Sequence, residues 1–214
     1  MMRRFGPIKG FLFLVLLMSS VGCMRTSAIV ARPEAPAPAA PEARNDLSRR
    51  TEPGGPLLQF KQGVQLLENG QNDEARHLFE KLRDTYPKMS VIYKDLGVTY
   101  KRLGLIPEAV ASYQRALEIE RGDAEVYYNL AIALREQGEF RKAEEAYKTA
   151  LAISPDFMDA HYNLAVLYDL YLNEPNEAIR HYQRFLELGG GDPKEIQIWI
   201  AALQKRTDES KRSP

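Results

Sequence analysis

Apolar residues recur at three- and four-residue spacing through most of the chain after residue 56, and the recurrence itself repeats. Val126, Tyr127, Leu130, Ala131 and Leu134 line one face of a helix. Gly138 ends that helix, because glycine takes the left-handed cap conformation without a side-chain clash. A second apolar face follows through Phe140, Ala143, Tyr147, Ala150 and Leu151, and Ser154-Pro155-Asp156 stops it. With the register set at Pro56, Ser90, Ala124 and Met158, the same pattern returns every 34 residues. Small residues stand at Gly63, Gly97, Ala131 and Ala165, turn glycines at Gly70, Gly104 and Gly138, and alanines at Ala75, Ala109 and Ala143. Phe79, Tyr113, Tyr147 and Tyr182 supply one aromatic per unit, and Pro87 and Pro155 close two of the units. One helix pair cannot bury both of its faces, so neighbouring pairs must stack into a solenoid.

Two units depart from the pattern. In the first, Gln59 and Gln62 sit where large apolar residues are expected. In the fourth, Leu172 replaces the turn glycine and one extra residue precedes Ala178. Asn173-Glu174-Pro175 still supplies turn residues and a proline suited to a helix start. The second helix of unit one is predicted over Asn72–Thr85, with Asn72 or Asp73 as its cap. After Gly189-Gly190-Gly191, the run Asp192-Pro193-Lys194-Glu195 reads as an N-cap, a first-turn proline and a capping-box partner. Ile196, Trp199, Ile200 and Leu203 then share one face of a helix that covers the end of the fourth unit. The alternative role for Trp199 is a partner anchor. Residues 207–214 are expected as a loose tail.

The pattern resembles the tetratricopeptide repeat. Tyr93, Leu96, Gly97, Tyr100, Gly104, Ala109, Tyr113 and Ala116 match the family's landmarks in order, with Arg121 in place of the final proline. The resemblance implies an all-α fold. It is a solenoid of four helix-turn-helix repeats, over 56–89, 90–123, 124–157 and 158–190, with a capping helix over 191–206.

Residues 1–22 stand apart from the fold. Arg3, Arg4 and Lys9 make a positive start, and Phe11 to Met18 is an apolar run too short for a permanent membrane span. Ser19, Ser20 and Gly22 lead into Cys23, which resembles the bacterial lipoprotein signal. That resemblance implies a diacylglycerol thioether on Cys23, cleavage before it and acylation of the new amine. Several acyl chains anchor a protein stably, where one is marginal. Met24 in place of Asp after the cysteine implies the outer membrane, facing the periplasm. An ordinary secretory signal and an uncleaved anchor are the alternatives. Residues 23–55 then read as the lipidated cysteine and a linker, with Pro33, Pro36, Pro38, Pro41 and Pro53 among many alanines.

Charge narrows the function. The chain carries 29 basic and 29 acidic residues, and the three basic residues of the signal have no acidic counterpart. The remainder is slightly acidic, which is not the footprint of a nucleic-acid surface. The single cysteine excludes an intrachain disulfide. No convergent catalytic spacing and no phosphate-binding glycine loop is present, so neither an enzyme, a small-molecule substrate nor a cofactor is expected. His161 takes the place of Tyr93 and Tyr127 in its unit and reads as a ring beside the core. His77 and His181 are expected on outward-facing second helices, and no metal site is predicted from the three. Glu144 and Glu145 read as solvated surface.

Binding is the expected role. In tetratricopeptide proteins the first helices line a concave groove. By that resemblance Lys94 and Lys101, then Tyr128, Asn129 and Arg135, then Tyr162, Asn163 and Asp169 face a protein or peptide partner, with Val98, Ile132 and Val166 among them. Asn129 and Asn163 resemble the asparagine ladders that hold a peptide backbone. The family's clamp for a C-terminal carboxylate is matched only by Lys94 and Asn129, so chaperone-tail binding is not expected. Lipoproteins of this family include pilotins, motility components and adaptors for cell-wall enzymes. The expected function is a lipid-anchored, non-catalytic scaffold assisting an envelope machine. A soluble periplasmic chaperone-like binder is the alternative, and an enzyme with an unrecognised site is the lesser one.

Overall fold

The computed structural model describes residues 55–212. The signal, Cys23 and nearly all of the linker lie outside the described residues. Every described residue belongs to one compact unit.

The described residues form antiparallel helix pairs: α1 (Pro56–Glu68) with α2 (Asn72–Thr85), α3 (Ser90–Arg102) with α4 (Ile106–Ile119), and α5 (Ala124–Glu136) with α6 (Phe140–Ile153). The last pair is α7 (Met158–Leu167), prolonged by a π-helical turn over Tyr168–Leu172, with α8 (Pro175–Glu187). A final helix, α9 (Pro193–Arg212), packs on α8. Helix pairs stack in chain order, α2 on α3, α4 on α5 and α6 on α7. First helices also touch each other directly, α1 to α3, α3 to α5 and α5 to α7. They make up the inner layer of the stack.

The repeating small residues explain the close pairing. A β-carbon at Gly97 would fall 2.4 Å from Tyr113 Cε1, and one at Gly63 would fall 2.7 Å from Phe79 Cε1. Ala75, Ala109, Ala143 and Ala178 are all fully buried, as are Phe79, Tyr113 and Tyr147. The turn glycines have φ of 75°, 74° and 82° at Gly70, Gly104 and Gly138.

In the fourth repeat Asn173 takes over that left-handed position with φ 53°. Asparagine is among the few side chains that tolerate it. The extra residue is absorbed just before it: the last turn of the first helix widens from α to π, and Glu174 N donates to Tyr168 O at 2.9 Å. Ala178 is thereby returned to its buried place.

The cap expected at Asn72 or Asp73 is corrected. The residue before α2 is Gln71, with no side-chain cap bond, and Asn72 is already helical. The turn itself sets the register: Gln71, Leu105, Glu139 and Glu174 each directly follow the left-handed residue and precede the helix. Side-chain caps occur at other helix starts. Asp123 Oδ1 accepts from Glu125 N at 2.9 Å and Val126 N at 3.2 Å, and Asp192 Oδ1 accepts from Lys194 N at 2.9 Å.

The expected tail from Thr207 onward is also corrected, since α9 continues to Arg212. No glycine or proline interrupts 207–212, and Thr207 Oγ1 donates to Leu203 O at 3.0 Å. Ile196, Ile200 and Leu203 are buried on α8, as expected of a capping helix. Trp199 packs inward, with ring centroids 5.6 Å from Tyr182 and 6.4 Å from Tyr162.

Candidate functional site

The first helices carry the residues expected to face a partner. Lys94 and Lys101 lie on α3, Tyr128, Asn129 and Arg135 on α5, Tyr162 and Asn163 on α7, and Asp169 in the π turn. Val98, Ile132 and Val166 form an apolar row one repeat apart, partly buried against the core. All eleven share the inner layer, yet their surroundings differ.

Three of them are joined at the centre. Asn163 Nδ2 donates to Tyr128 Oη at 3.0 Å and to Asp159 O at 2.9 Å, and Asn163 Oδ1 accepts from Arg135 Nη1 at 3.4 Å. Asn129 Nδ2 donates to Glu125 O within its own helix at 3.0 Å. The two asparagines are therefore not equivalent: the amide of Asn163 is occupied on both sides, while the carbonyl oxygen of Asn129 has no partner among the described residues. Tyr128 also lies against Phe157, centroids 4.8 Å apart, and its hydroxyl is pushed up by burial and by the Asp159 charge.

The outer members are drawn elsewhere. Lys94 bridges to Glu125 at 3.0 Å and Asp123 at 3.9 Å. Burial pulls its ammonium down, but the bond to Glu125 and the charges of Glu125, Asp123 and Asp95 outweigh that and raise it. Tyr162 turns towards Phe185 at 5.1 Å and towards Trp199, so it belongs partly to the contact with α9. Asp169 pairs with Arg206 of α9 at 2.9 Å. Lys101 and Arg135 have no ion-pair partner among the described residues.

Two further expectations are corrected by contacts between helices. Glu144 is not solvated but 8% exposed. Its carboxylate accepts from Lys148 Nζ at 2.6 Å, Arg141 Nη1 at 2.8 Å and Tyr168 Oη at 2.9 Å. Burial alone raises such an acid, but these three donors prevail and hold it at about 2. The hydroxyl comes from the next repeat, so no spacing within one helix could have revealed it.

His181 is likewise not outward-facing. Its Nδ1 lies 2.9 Å from His161 Nδ1, and its ring stacks on Tyr168 at 5.7 Å. His161 Nε2 is 2.9 Å from Pro155 O, which can only accept, so Nε2 donates and Nδ1 is left to accept from His181 Nδ1–H. Tyr93 makes the matching bond two repeats earlier, donating to Pro87 O at 3.2 Å. Burial first, then the neighbouring His161, Arg180 and Lys148, push His181 down to about 4.

These shifts set an acid response. His181 ordinarily titrates at 6.5, so the unfolded chain binds its proton earlier and stability falls as pH drops from about 6.5 to about 4. Glu144 adds a second loss between about 4.5 and about 2. Asp95, raised to about 6 by burial, acts the other way in part of this range. The comparison with His181→Gln therefore isolates the histidine. The variant is expected to lose about 1–2 kcal/mol less between pH 6.5 and 4, after discounting for partial exposure. Thermal melts of both proteins across that window measure it; identical pH slopes refute the buried neutral imidazole.

An open cleft of about 640 Å³ lies beside the starts of α5 and α7, lined in part by Ile153, Phe157 and Met158. Its carboxylates are largely engaged: Asp123 caps α5, Glu125 holds Lys94, Asp156 pairs with Arg184 and Glu120 accepts from Ser90. Among the described residues no group of three metal-ligating side chains comes together.

Comparison with curated protein sequences gives no match. Among solved structures the chain is similar to a MamA protein, at 23% identity and a TM-score of 0.61, over 74% of this chain and 96% of that one. It is also similar to PilF of Pseudomonas aeruginosa, at 20% identity and a TM-score of 0.62, covering 72% and 69%. A third is YrrB, described as a TPR protein with an unusual peptide-binding site, at 19% identity and a TM-score of 0.58, covering 70% and 74%. At these identities the likeness establishes the fold. Three tetratricopeptide-repeat family models match residues 58–88, 92–156 and 128–193. Together they take in more than half of the chain, which belongs to the tetratricopeptide-repeat family.

Proposed function

We propose that the protein is a non-catalytic scaffold that binds a protein partner along its first helices. Lipid on Cys23 would hold it at the outer membrane, where it assists assembly of an envelope machine. The observation that carries the binding role is the inner layer: Val98, Ile132 and Val166 stand one repeat apart, partly exposed, on helices that touch in sequence. Half-buried polar groups flank that row. The fold shared with YrrB, whose description names a peptide-binding site, supports the same reading. The signal ending at Cys23 supports the anchor.

Crosslinking in intact envelopes, followed by capture of the full chain, tests both parts. Asn129→Ala with Ile132→Ala is expected to lower partner yield by about tenfold, with helicity retained. Gln114→Ala, exposed on a second helix, is expected to leave the yield unchanged. Undiminished capture by the groove variant refutes the inner layer as the binding surface. Cys23→Ser is expected to release the protein from the membrane fraction and abolish lipid labelling. A parent that carries no label and already fractionates as soluble supports the soluble periplasmic binder instead.

A further inference from the structure

Lys101 and Arg135 stand 34 residues apart, at the same place on neighbouring first helices. Both side chains are half-buried and neither has a carboxylate partner. Every other half-buried lysine or arginine among the described residues has one. Arg76 pairs with Asp73, Arg83 with Asp84, Lys94 with Asp123 and Glu125, and Arg184 with Asp156 and Glu187. Partly desolvating a cation without a counter-charge is costly, and two side by side repel each other as well. Burial, together with the charges of Arg102 and Arg135, pulls the Lys101 ammonium below its ordinary value, and only the Glu136 charge opposes this.

The acids of the same surface do not answer these donors. Asp169 is held by Arg206, and Glu125 by Lys94. Asp95 is itself pushed up to about 6 by burial, and Asp159 and Glu136 are exposed and form no ion pair among the described residues, although the Glu136 charge reaches Lys101. The middle of the inner layer is left rich in donors and short of acceptors.

We propose that Lys101 and Arg135 receive the side-chain carboxylate of an Asp or Glu in an extended peptide lying across the first helices. This rests on the binding role proposed above and names the chemistry of the partner. A carboxylate supplies the two acceptor oxygens that a guanidinium and an ammonium lack, and charge-assisted bonds are the stronger kind. It is a side chain rather than a chain end because the position is interior. First helix α1 lies beyond α3 on one side and α7 beyond α5 on the other, so the peptide continues both ways. Neighbouring helices lie about 10 Å apart and an extended chain rises about 3.3 Å per residue, so each repeat takes about three residues. The apolar row of Val98, Ile132 and Val166 then meets side chains of the same peptide.

The test is an array of random nonapeptides, acetylated and amidated so that no terminal charge remains, probed with the tagged full chain. Bound peptides are expected to show Asp or Glu at one register. The best of them should bind about tenfold or more weakly to the Lys101→Gln, Arg135→Gln double variant, and about equally to the parent and to Lys101→Arg. The double variant removes two unpaired half-buried cations, so its melting temperature is expected to hold or rise, which separates loss of binding from loss of fold. A parallel array with free C-termini and no Asp or Glu identifies binding of a chain end. No binders, binders without an acidic register, an acidic preference that survives in the double variant, or equal binding of the chain-end array each overturns the proposal. If Asn129→Ala with Ile132→Ala still abolishes envelope capture while the array shows no acidic preference, the scaffold role stands and this inference fails.

Discussion

Replacing Ala143 with glutamate is expected to lower the melting temperature sharply, at a cost of about 3 kcal/mol or more. Ala143 is fully buried in the first turns of α6, where its helix meets α5. The methyl leaves no space for a longer chain, and the carboxylate would be desolvated among apolar neighbours. Residues fitted to such a contact differ from the exposed positions beside it: Lys142 and Glu145 on the same helix face solvent, and Glu145→Ala is expected to change stability by less than about 0.5 kcal/mol. Urea denaturation of the two variants decides. Equal midpoints would mean that α5 and α6 do not meet at this register.

Gly97→Val is expected to be the second large loss, about 3 kcal/mol, through overpacking and not through a buried charge. A β-carbon there falls 2.4 Å from Tyr113 Cε1 and 2.6 Å from its Cδ1, so the two helices must part or the ring must leave its rotamer. The ring has little freedom, since Tyr113 is fully buried. The cost should depend on the ring: Tyr113→Leu alone destabilises, but the double variant Gly97→Val, Tyr113→Leu is expected to be less unstable than the two losses added. Simple additivity in a double-mutant cycle would show that the valine disturbs something other than this contact. The corresponding positions at Ala131 and Ala165 are fully buried with a methyl in place, so successive repeats fill the same position with different residues.

Those differences show where sequence reasoning reaches its limit. Helix pairing, turn positions and the buried small residues were all readable because each is local and repeats: a glycine and an alanine five residues on mark the same turn in three successive units. The extra residue of the fourth repeat was visible too, but its placement was not. It lies in the π turn because Ala178 and Tyr182 must reach the same buried contacts as their counterparts, and the end of α7 is the nearest place that can widen without moving them. The length of α9 was underestimated for the opposite reason: polar residues after Arg206 read as tail, although nothing in them breaks a helix.

By itself, then, the sequence determined the family, the four helix pairs, the closing helix and the set of residues that share the inner layer, since a 34-residue period assigns equivalent residues to equivalent surfaces. Only the tertiary structure decided which of those residues are already occupied. Glu144 meets Tyr168 across 24 residues, His161 meets His181 across 20, Asn163 meets Tyr128 across 35 and Asp169 meets Arg206 across 37. Each partner comes from the other helix of the pair, from the neighbouring repeat or from α9, and periodicity says that two side chains share a surface without saying that their atoms meet. The same contacts leave Lys101 and Arg135 without an ion-pair partner among the described residues. In the sequence they are indistinguishable from other lysines and arginines, because an unpaired cation is defined by the absence of a carboxylate in space.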